Sequence, residues 1–309
     1  VAVETTDFGT SVVVVSYNTR EKLRRCLSSI ECHHQVIVVD NRSDDGSADM
    51  VAEEFPATLL IRNLENMGFG PANNQGAKLA ERPLVLYLNS DAYPQPGAID
   101  ALAECFSDPK VVAAGPMLLN VDGTLQESAA NQLTLWAVFC EQTYLEKLFS
   151  GNSNLNPYWT TTRLAAHGGI QATVQVMGAA LMCRAGLEEF DERYFLYCED
   201  TDLCLRLSRH GAIVFDPEPK VIHELGSSSS ASRWKAVARY NRGKELYFRI
   251  HHGPVAIAAC FALDRIGALV RLIVWFVAAV LSLFLVKRFR GQVLLFLRVL
   301  AAPLSGPTR

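Results

Sequence analysis

The first half of the chain alternates short, fully apolar runs with stretches whose apolar residues recur every three or four positions. Ser11–Ser16 (SVVVVS), Val36–Asp40 (VIVVD), Thr58–Arg62, Leu84–Leu88 (LVLYL) and Val111–Ala114 are predicted strands. Most are too continuously hydrophobic to leave one face in water. Between them, Arg20–Ile30 sets Leu23, Leu27 and Ile30 on one helical face, and Ser47–Phe55, Gly70–Leu79 and Gly97–Phe106 are further predicted helices. Buried, β-branched strands separated by helices predict an α/β fold on a doubly wound, mostly parallel sheet.

After Gly115 the alternation breaks. Asn120–Leu125 (NVDGTL) carries an Asp-Gly hairpin signal, Leu133–Phe149 has helical character, and Gly151–Gly169 is rich in loop formers. Val174–Cys183 is a predicted strand, and Asp200–His210 a helix closed by Gly211. The tail is different in kind. Ile273–Val286 holds no charge and is bounded by Arg271 on one side and Lys287, Arg288 and Arg290 on the other. Its length of about 15 residues makes a helix of roughly 22 Å, short of the roughly 20 residues that a comfortable span needs. Snorkelling cations could extend it, and Val255–Leu263 and Val293–Leu300 add apolar surface. Three readings stand open: interfacial or re-entrant helices, a short true span, and a buried core helix of a soluble domain. Cations at both ends give no orientation.

The chain has 309 residues, 50% hydrophobic and 20% charged, enough for one large α/β domain and an appendage. A net charge of −3 argues against nucleic acid as a partner. Acidic residues dominate up to Asp216 and basic ones past Arg233, which suits a C-terminal region facing anionic lipid headgroups. The eight cysteines form no CxxC pair, and are expected to be reduced and structural, as in the cytosol. No basic stretch followed by an apolar one opens the chain, so a cleavable signal peptide is not expected.

Several polar residues stand where such a sheet binds ligands, at the carboxyl ends of strands. Asp40 ends the second strand; a carboxylate there can accept the N3–H of uracil or thymine, which cytosine lacks, or simply cap the turn Asn41–Gly46. Asn89-Ser90-Asp91 ends the fourth. A carboxylate there can hold a divalent ion that neutralises a diphosphate, or close a turn. Glu199-Asp200-Thr201-Asp202 puts three carboxylates at a helix start, where they serve as caps or as a general base. Asp202, inside the first turn, is assigned the structural role. His223 follows the strand-like Lys220–Ile222, and Ser227–Ser230 reads as a mobile lid or a linker. Lys235, Arg239 and Arg242 recur at helical spacing within a basic stretch opened by Arg233, either as a solvated face or as a contact for a diphosphate or anionic lipid.

Their order forms a set: Val14–Asn18 (VVSYN), Val38–Asn41 (VVDN) with Ser43 and Gly46-Ser47, Asn66-Met-Gly-Phe-Gly with Asn73-Asn74 and Gly76, Leu88-Asn-Ser-Asp91, Phe190–Phe195 (FDERYF), Glu199–Arg206 (EDTDLCLR) and His223. Over about residues 10–250 this resembles the family 2 inverting glycosyltransferases of the GT-A fold, and within them the bacterial rhamnosyltransferase-like branch. That branch includes enzymes that add rhamnose from dTDP-rhamnose to N-acetylglucosamine on a polyprenyl diphosphate. The resemblance implies a GT-A catalytic domain over 1–232 and a basic, apolar, helical membrane-associating region over 233–309. It implies Asp200 as catalytic base with Glu199 beside it, and Ser16, Tyr17, Asn18, Asp40, Asn66, Gly68, Asn73, Asn89 and Ser90 around the nucleotide sugar. It implies a divalent cofactor, Mg2+ or Mn2+, at Asp91 and His223. Asn89 departs from the family's DxD motif by replacing its first Asp, which leaves one carboxylate fewer for the metal. The implied partners are a dTDP- or UDP-sugar, a polyprenyl-linked acceptor and membrane lipids at the cytoplasmic face of the inner membrane, with homo-oligomerisation open. The alternatives are a UDP-sugar-dependent family 2 transferase with another glycan acceptor and a catalytically inactive binding subunit. A nucleotidyltransferase would open with a Gly-rich phosphate loop, which Ser16–Arg20 (SYNTR) is not.

Overall fold

Valines at successive positions of the first strand point alternately to the two faces of a sheet, and both faces are covered. Val12 and Val14 pack with Leu23, Cys26, Met50, Ile99 and Leu102 on one side, while Val13 packs with Ile37, Tyr87, Leu181, Leu203 and Phe215 on the other. The computed structural model describes residues 9–224 and 233–302. Its elements run β1 (Thr10–Ser16), α1 (Arg20–Ser28), β2 (Gln35–Asp40), α2 (Ser47–Glu54), β3 (Leu59–Arg62), α3 (Phe69–Ala77), β4 (Leu84–Asn89), β5 (Ala92–Pro94), α4 (Ala98–Glu104), β6 (Val111–Leu119), β7 (Leu125–Gln126) and β8 (Ala129–Ala130). They continue with α5 (Leu135–Gln142), α6 (Leu145–Leu148), α7 (Thr161–His167), β9 (Gln171–Thr173), β10 (Gln175–Val176), β11 (Ala180–Arg184), α8 (Glu199–Leu207), β12 (Ala212–His223), α9 (Arg233–His251), α10 (Pro254–Leu281) and α11 (Lys287–Ala301). The serine run 227–230 lies outside the described residues.

These elements fall into two units. The first comprises the described residues up to Gln132, Trp159–Phe195 and the described residues from Glu199 up to 224. Its sheet has the order β3-β2-β1-β4-β11-β6-β12-β5, with β7 on β6 and β9 on β12. β3, β2, β1 and β4 are parallel, in a register that pairs Ser16 with Asp40 and Val15 with Asn89, so three polar residues end neighbouring strands together. The expected strand Val174–Cys183 is two strands broken at Met177–Ala179, and its second part, β11, runs antiparallel between β4 and β6. The Asp-Gly hairpin is present as the turn between β6 and β7, with Asn120 N bonded to Thr124 O at 2.8 Å. None of the eight cysteines forms a disulfide; seven are buried and Cys32 is exposed. Burial pushes the Cys183 and Cys204 thiols up to about 12.

The second unit is helical and comprises Leu133–Tyr158, Leu196–Cys198 and the described residues from Arg233 on. Ala268, Phe296 and Val299 form a small core with Trp234, Val237, Leu272 and Trp275. The uncharged run Ile273–Val286 is not one helix. α10 stops at Leu281, Leu283 and Phe284 take left-handed φ angles of 49° and 57°, and α11 starts at Lys287. Among the described residues no helix is long and apolar enough to cross a membrane, because this break shortens the run and α10 carries Asp264, Arg265 and Arg271. That corrects the short-span reading. The buried-core-helix reading fails too, since Ile273, Phe276, Leu281, Leu283 and Leu285 are exposed.

Inside this unit, Lys244 of α9 is fully buried and reaches Asp264 of α10 at 2.7 Å and Glu141 of α5 at 3.0 Å. Gln142 donates to the same Asp264 oxygen at 2.8 Å and accepts from Arg271 at 2.7 Å. Burial alone would lower the Lys244 pKa, but the two carboxylates prevail and hold it above its ordinary value. Removing one partner of such a cluster strands the other charge in the interior, at a cost of about 3–5 kcal/mol. Lys244→Met is therefore expected to lower the unfolding free energy by that amount in a denaturant titration. A loss below about 1 kcal/mol would show that the cluster is not a structural pin.

Candidate active site

The strand ends carry the polar cluster. β1 leaves the sheet at Ser16, whose hydroxyl lies 3.0 Å from Thr19 Oγ1; Thr19 in turn donates to Ser90 at 2.9 Å. A chain of hydroxyls thus joins the first loop to the Asn89-Ser90-Asp91 turn. Asn18 is left-handed at φ 54°, a conformation Asn tolerates, and fixes the neighbouring turn: its N–H donates to Ser43 Oγ at 2.9 Å, and its Oδ1 accepts from Asp44 N at 2.8 Å. Tyr17 is 45% exposed beside it, a ring free to meet a ligand.

Asp40 is 3% exposed. Its Oδ1 accepts from Ser43 N at 2.9 Å, whereas Oδ2 is buried and accepts from no described residue. Buried polar atoms are nearly always satisfied, so this oxygen has room for a donor from beyond the described residues. Asn41 wires the adjacent loop, donating to Gly68 O and accepting from Asn63 Nδ2, both at 2.9 Å. Asn66 accepts from Gly68 N at 3.0 Å. Gly68 has φ +95°, and a Cβ there would stand 2.7 Å from Phe195 O, so no side chain fits. Asn73 is 1% exposed; its Nδ2 donates to Phe69 O within its own helix at 3.0 Å, and its Oδ1 is buried and accepts from no described residue. Its neighbour Asn74 clamps the Phe190 backbone from both sides, at 2.9 and 2.8 Å.

Asn89, Asp91 and His223 come together although far apart in the chain. Antiparallel pairing of β5 with β12 puts His223 opposite Ala92. His223 Nε2 then lies 3.2 Å from Asn89 Nδ2 and 3.4 Å from Asp91 Oδ1. His223 Nδ1 is 2.7 Å from Gln126 Oε1, so Nδ1 carries the proton and Nε2 offers its lone pair. Gln126 is itself fixed, donating to His223 O at 3.2 Å and to Asn120 Oδ1 at 2.9 Å. An imidazole nitrogen and a carboxylate oxygen at this separation can share one cation whose bonds are about 2.0–2.2 Å long, and a hydrogen-bonded distal nitrogen is the usual companion of a ligating histidine. The donor set fits a divalent metal.

Asp200 opens α8, 9% exposed. Its Oδ2 accepts from Gly178 N at 2.9 Å and its Oδ1 from Thr201 N at 2.8 Å. Burial pushes the carboxyl above the usual range, while these amides hold it partway back. One residue along, Ala179 O accepts from Asn89 N at 3.0 Å. The Met177–Ala179 segment therefore bridges the Asn89–Asp91 turn and Asp200. Glu199 is 5% exposed beside it. Asp202 is 1% exposed and pairs with Arg206 at 2.9 Å. Gln126, Thr19 and Gly178 lie outside the residues singled out in sequence; each acts through a partner distant in the chain, and no local pattern marks it. Arg233, Lys235, Arg239 and Arg242 belong to the helical unit. Arg233 and Lys235 are exposed on α9, Arg239 is half-buried, and Arg242 lies 3.8 Å from Glu245.

Parallel strands ending in this cluster, followed by the antiparallel strand β11, give the first unit the GT-A arrangement. The glycosyl transferase family 2 model matches residues 11–189, more than half of the chain, and the protein belongs to that family of glycosyltransferases. It is 27% identical to an N-acetylglucosaminyl-diphospho-decaprenol L-rhamnosyltransferase of Mycobacterium tuberculosis, over 78% of this chain and 84% of that protein. A pre-mycofactocin glycosyltransferase of the same species is 26% identical over 69% of this chain and 42% of its own. Among solved structures, the mannosyltransferase PcManGT from Pyrobaculum calidifontis, in complex with GDP-Man and Mn2+, superposes with a TM-score of 0.55 at 16% identity, over 95% of this chain and 85% of that one. GalNAc-T7 with UDP, GalNAc and Mn2+ gives 0.52 at 15% identity, over 77% and 48%.

The raised Asp200 pKa has a stability consequence. An unfolded aspartate titrates near about 3.9, and the folded one titrates higher, so the fold favours the protonated form. That contribution is full below the unfolded value and is lost as pH rises through the folded one. Asp200→Asn, uncharged at any pH, is expected to hold or raise the melting temperature near neutrality in scanning calorimetry. A clear drop would mean that the ionised carboxylate stabilises the fold.

Proposed function

We propose that the protein is an inverting rhamnosyltransferase that moves L-rhamnose from dTDP-rhamnose onto N-acetylglucosamine carried by a polyprenyl diphosphate, in cell-wall or surface-glycan synthesis. The observation that carries the catalytic reading is the bridge described above, with a metal-competent corner at one end and a buried carboxylate of raised pKa at the other. The donor and acceptor are those in the name of the M. tuberculosis relative. The open oxygen of Asp40 suits the N3–H of thymine, and suits uracil equally, so the base alone does not choose between dTDP and UDP. Ser16, Tyr17, Asn18, Asn66, Gly68, Asn73 and Ser90 line the donor.

Asp91 and His223 would hold the divalent cation, Mg2+ or Mn2+, which would supply Lewis-acid charge to the departing diphosphate, His223 Nε2 giving it the lone pair that otherwise accepts from Asn89 Nδ2. Asp200 takes the proton of the acceptor hydroxyl. That oxygen forms the new bond to the anomeric carbon from the face opposite the diphosphate. The old carbon–oxygen bond breaks with its electron pair going to the nucleotide diphosphate, so the anomeric configuration inverts. Glu199 orients Asp200. A base must be ionised, so activity rises with pH through the Asp200 pKa, which lies above that of an ordinary aspartate.

Residues 1–232 form the catalytic domain in this reading, and 233–309 attach it to the cytoplasmic face of the membrane. The exposed apolar residues around the α10–α11 turn, rimmed by Lys287, Arg288 and Arg290, support a peripheral attachment in which the turn enters the interface and the cations meet anionic headgroups. Arg233, Lys235, Arg239 and Arg242 meet the lipid diphosphate.

The deciding experiment is a panel of dTDP- and UDP-sugars with Mg2+ or Mn2+ against polyprenyl-diphosphate N-acetylglucosamine. Transfer from dTDP-rhamnose is expected. Asp200→Asn is expected to lower kcat about 10²–10⁴-fold while the donor still raises the melting temperature. Transfer from a UDP-sugar alone replaces the rhamnose assignment, and full turnover by Asp200→Asn sinks the base assignment. For the membrane, Leu281→Glu with Leu285→Glu is expected to abolish cosedimentation with phosphatidylglycerol vesicles and leave the fold intact; unchanged sedimentation would refute insertion of this turn.

A further inference from the structure

A second group of metal-ligating side chains lies at the other end of the sheet. Glu31, Cys32, His33 and His34 follow one another in the connection between α1 and β2, and Asp100 lies in the first turn of α4. β2 begins at Gln35 and ends at Asp40, so this group sits at the amino-terminal edge of the strand whose carboxyl end faces the active site. His33 Nε2 is 3.0 Å from Asp100 Oδ1, and His34 Nε2 is 3.7 Å from that same oxygen. One donor atom from each of His33, His34 and Asp100 lies within 4.8 Å of the others. Glu31 Oε2 stands 3.7 Å from His34 Nε2.

The spacing and the chemistry agree. Ligands about 2.0–2.1 Å from a tetrahedral zinc ion stand roughly 3.3 Å from one another, close to the separations found. The His34 side chain is 1% exposed, so its ring is held by packing rather than by a passing contact. Glu31 is held as well: its Oε1 accepts from Gly97 N at 2.7 Å, while Oε2 accepts from no described residue and stands 3.7 Å from His34 Nε2. Two imidazoles drawn to one carboxylate oxygen, with a second carboxylate alongside, leave negative charge that a dication neutralises. Two nitrogen donors favour a late first-row ion over Mg2+, which prefers oxygen.

We propose that His33, His34 and Asp100 form a structural binding site for a divalent transition-metal ion, zinc by preference, with Glu31 beside His34. The ion clips the α1–β2 connection to the start of α4, and is independent of the catalytic cation.

The test uses the full chain, stripped with chelator, in an Asp91→Asn background that disables the other metal corner. ZnCl2 is titrated against a competing chromophoric indicator, and the melting temperature is followed in parallel. One zinc ion per chain is expected to bind and to raise the melting temperature, with millimolar Mg2+ not competing. His33→Ala and Asp100→Asn, both at exposed positions, are each expected to weaken zinc at least about tenfold and to remove the thermal gain. Cys32→Ser is expected to retain both. Zinc binding unaffected by His33→Ala and Asp100→Asn, or lost in Cys32→Ser, would overturn the site, the latter by showing capture by the exposed thiol. No zinc binding in the parent chain would also overturn it, and would leave the glycosyl-transfer reading untouched.

Discussion

Two hydrogen bonds from backbone donors, Asn89 N to Ala179 O and Gly178 N to Asp200 Oδ2, tie the Asn89–Asp91 turn to Asp200 through neighbouring residues. The first extends the pairing of β11 with β4 beyond the last ladder pair. The second uses the amide of the preceding residue to fix the carboxylate of Asp200, 22 residues later in α8. Both are backbone donors, so the relation between the metal-competent turn and Asp200 depends little on rotamers. Gly178 makes the approach possible: a Cβ there would stand 3.1 Å from Asp200 Cβ, tighter than ordinary contact. Preorganisation of this kind lets polar groups act without rearranging at the moment of reaction.

The polar interior divides into closed and open clusters. In the helical unit every charge around Lys244 has a partner, and Gln142 fills the remaining valences of Asp264 and Arg271. Asp202 with Arg206 is closed in the same way. At the strand ends Asp40 Oδ2 accepts from no described residue, whereas both oxygens of the buried Asp200 accept backbone N–H bonds. A fold that satisfied the Asp40 oxygen internally would be more stable and less able to bind.

Much of this was legible in the chain. The runs SVVVVS, VIVVD and LVLYL could only be buried strands, and the residues ending them had to lie together because parallel strands share one carboxyl edge. The Asn120–Leu125 turn carried its own signal in Asp-Gly. What escaped was what depends on distant pairing. Nothing local shows that Val174–Cys183 breaks at Gly178 and that its second half runs antiparallel, nor that Gln126 closes on a histidine 97 residues away. The tail misled in the other direction. Hydropathy counted Ile273–Val286 as one run, but Leu283 and Phe284 turn left-handed and split it. Composition cannot register a change of backbone conformation between two leucine-rich segments.

The distribution of sulfur has a practical side. Seven thiols lie inside, several raised by burial to the point where little thiolate exists at physiological pH, while Cys32 stands in solvent. Alkylating reagents and oxidants act on the thiolate. Among the described residues Cys32 is thus the one exposed thiol that a fluorophore or spin label would reach without engineered cysteines, at the end of the sheet opposite the carboxyl end of β2.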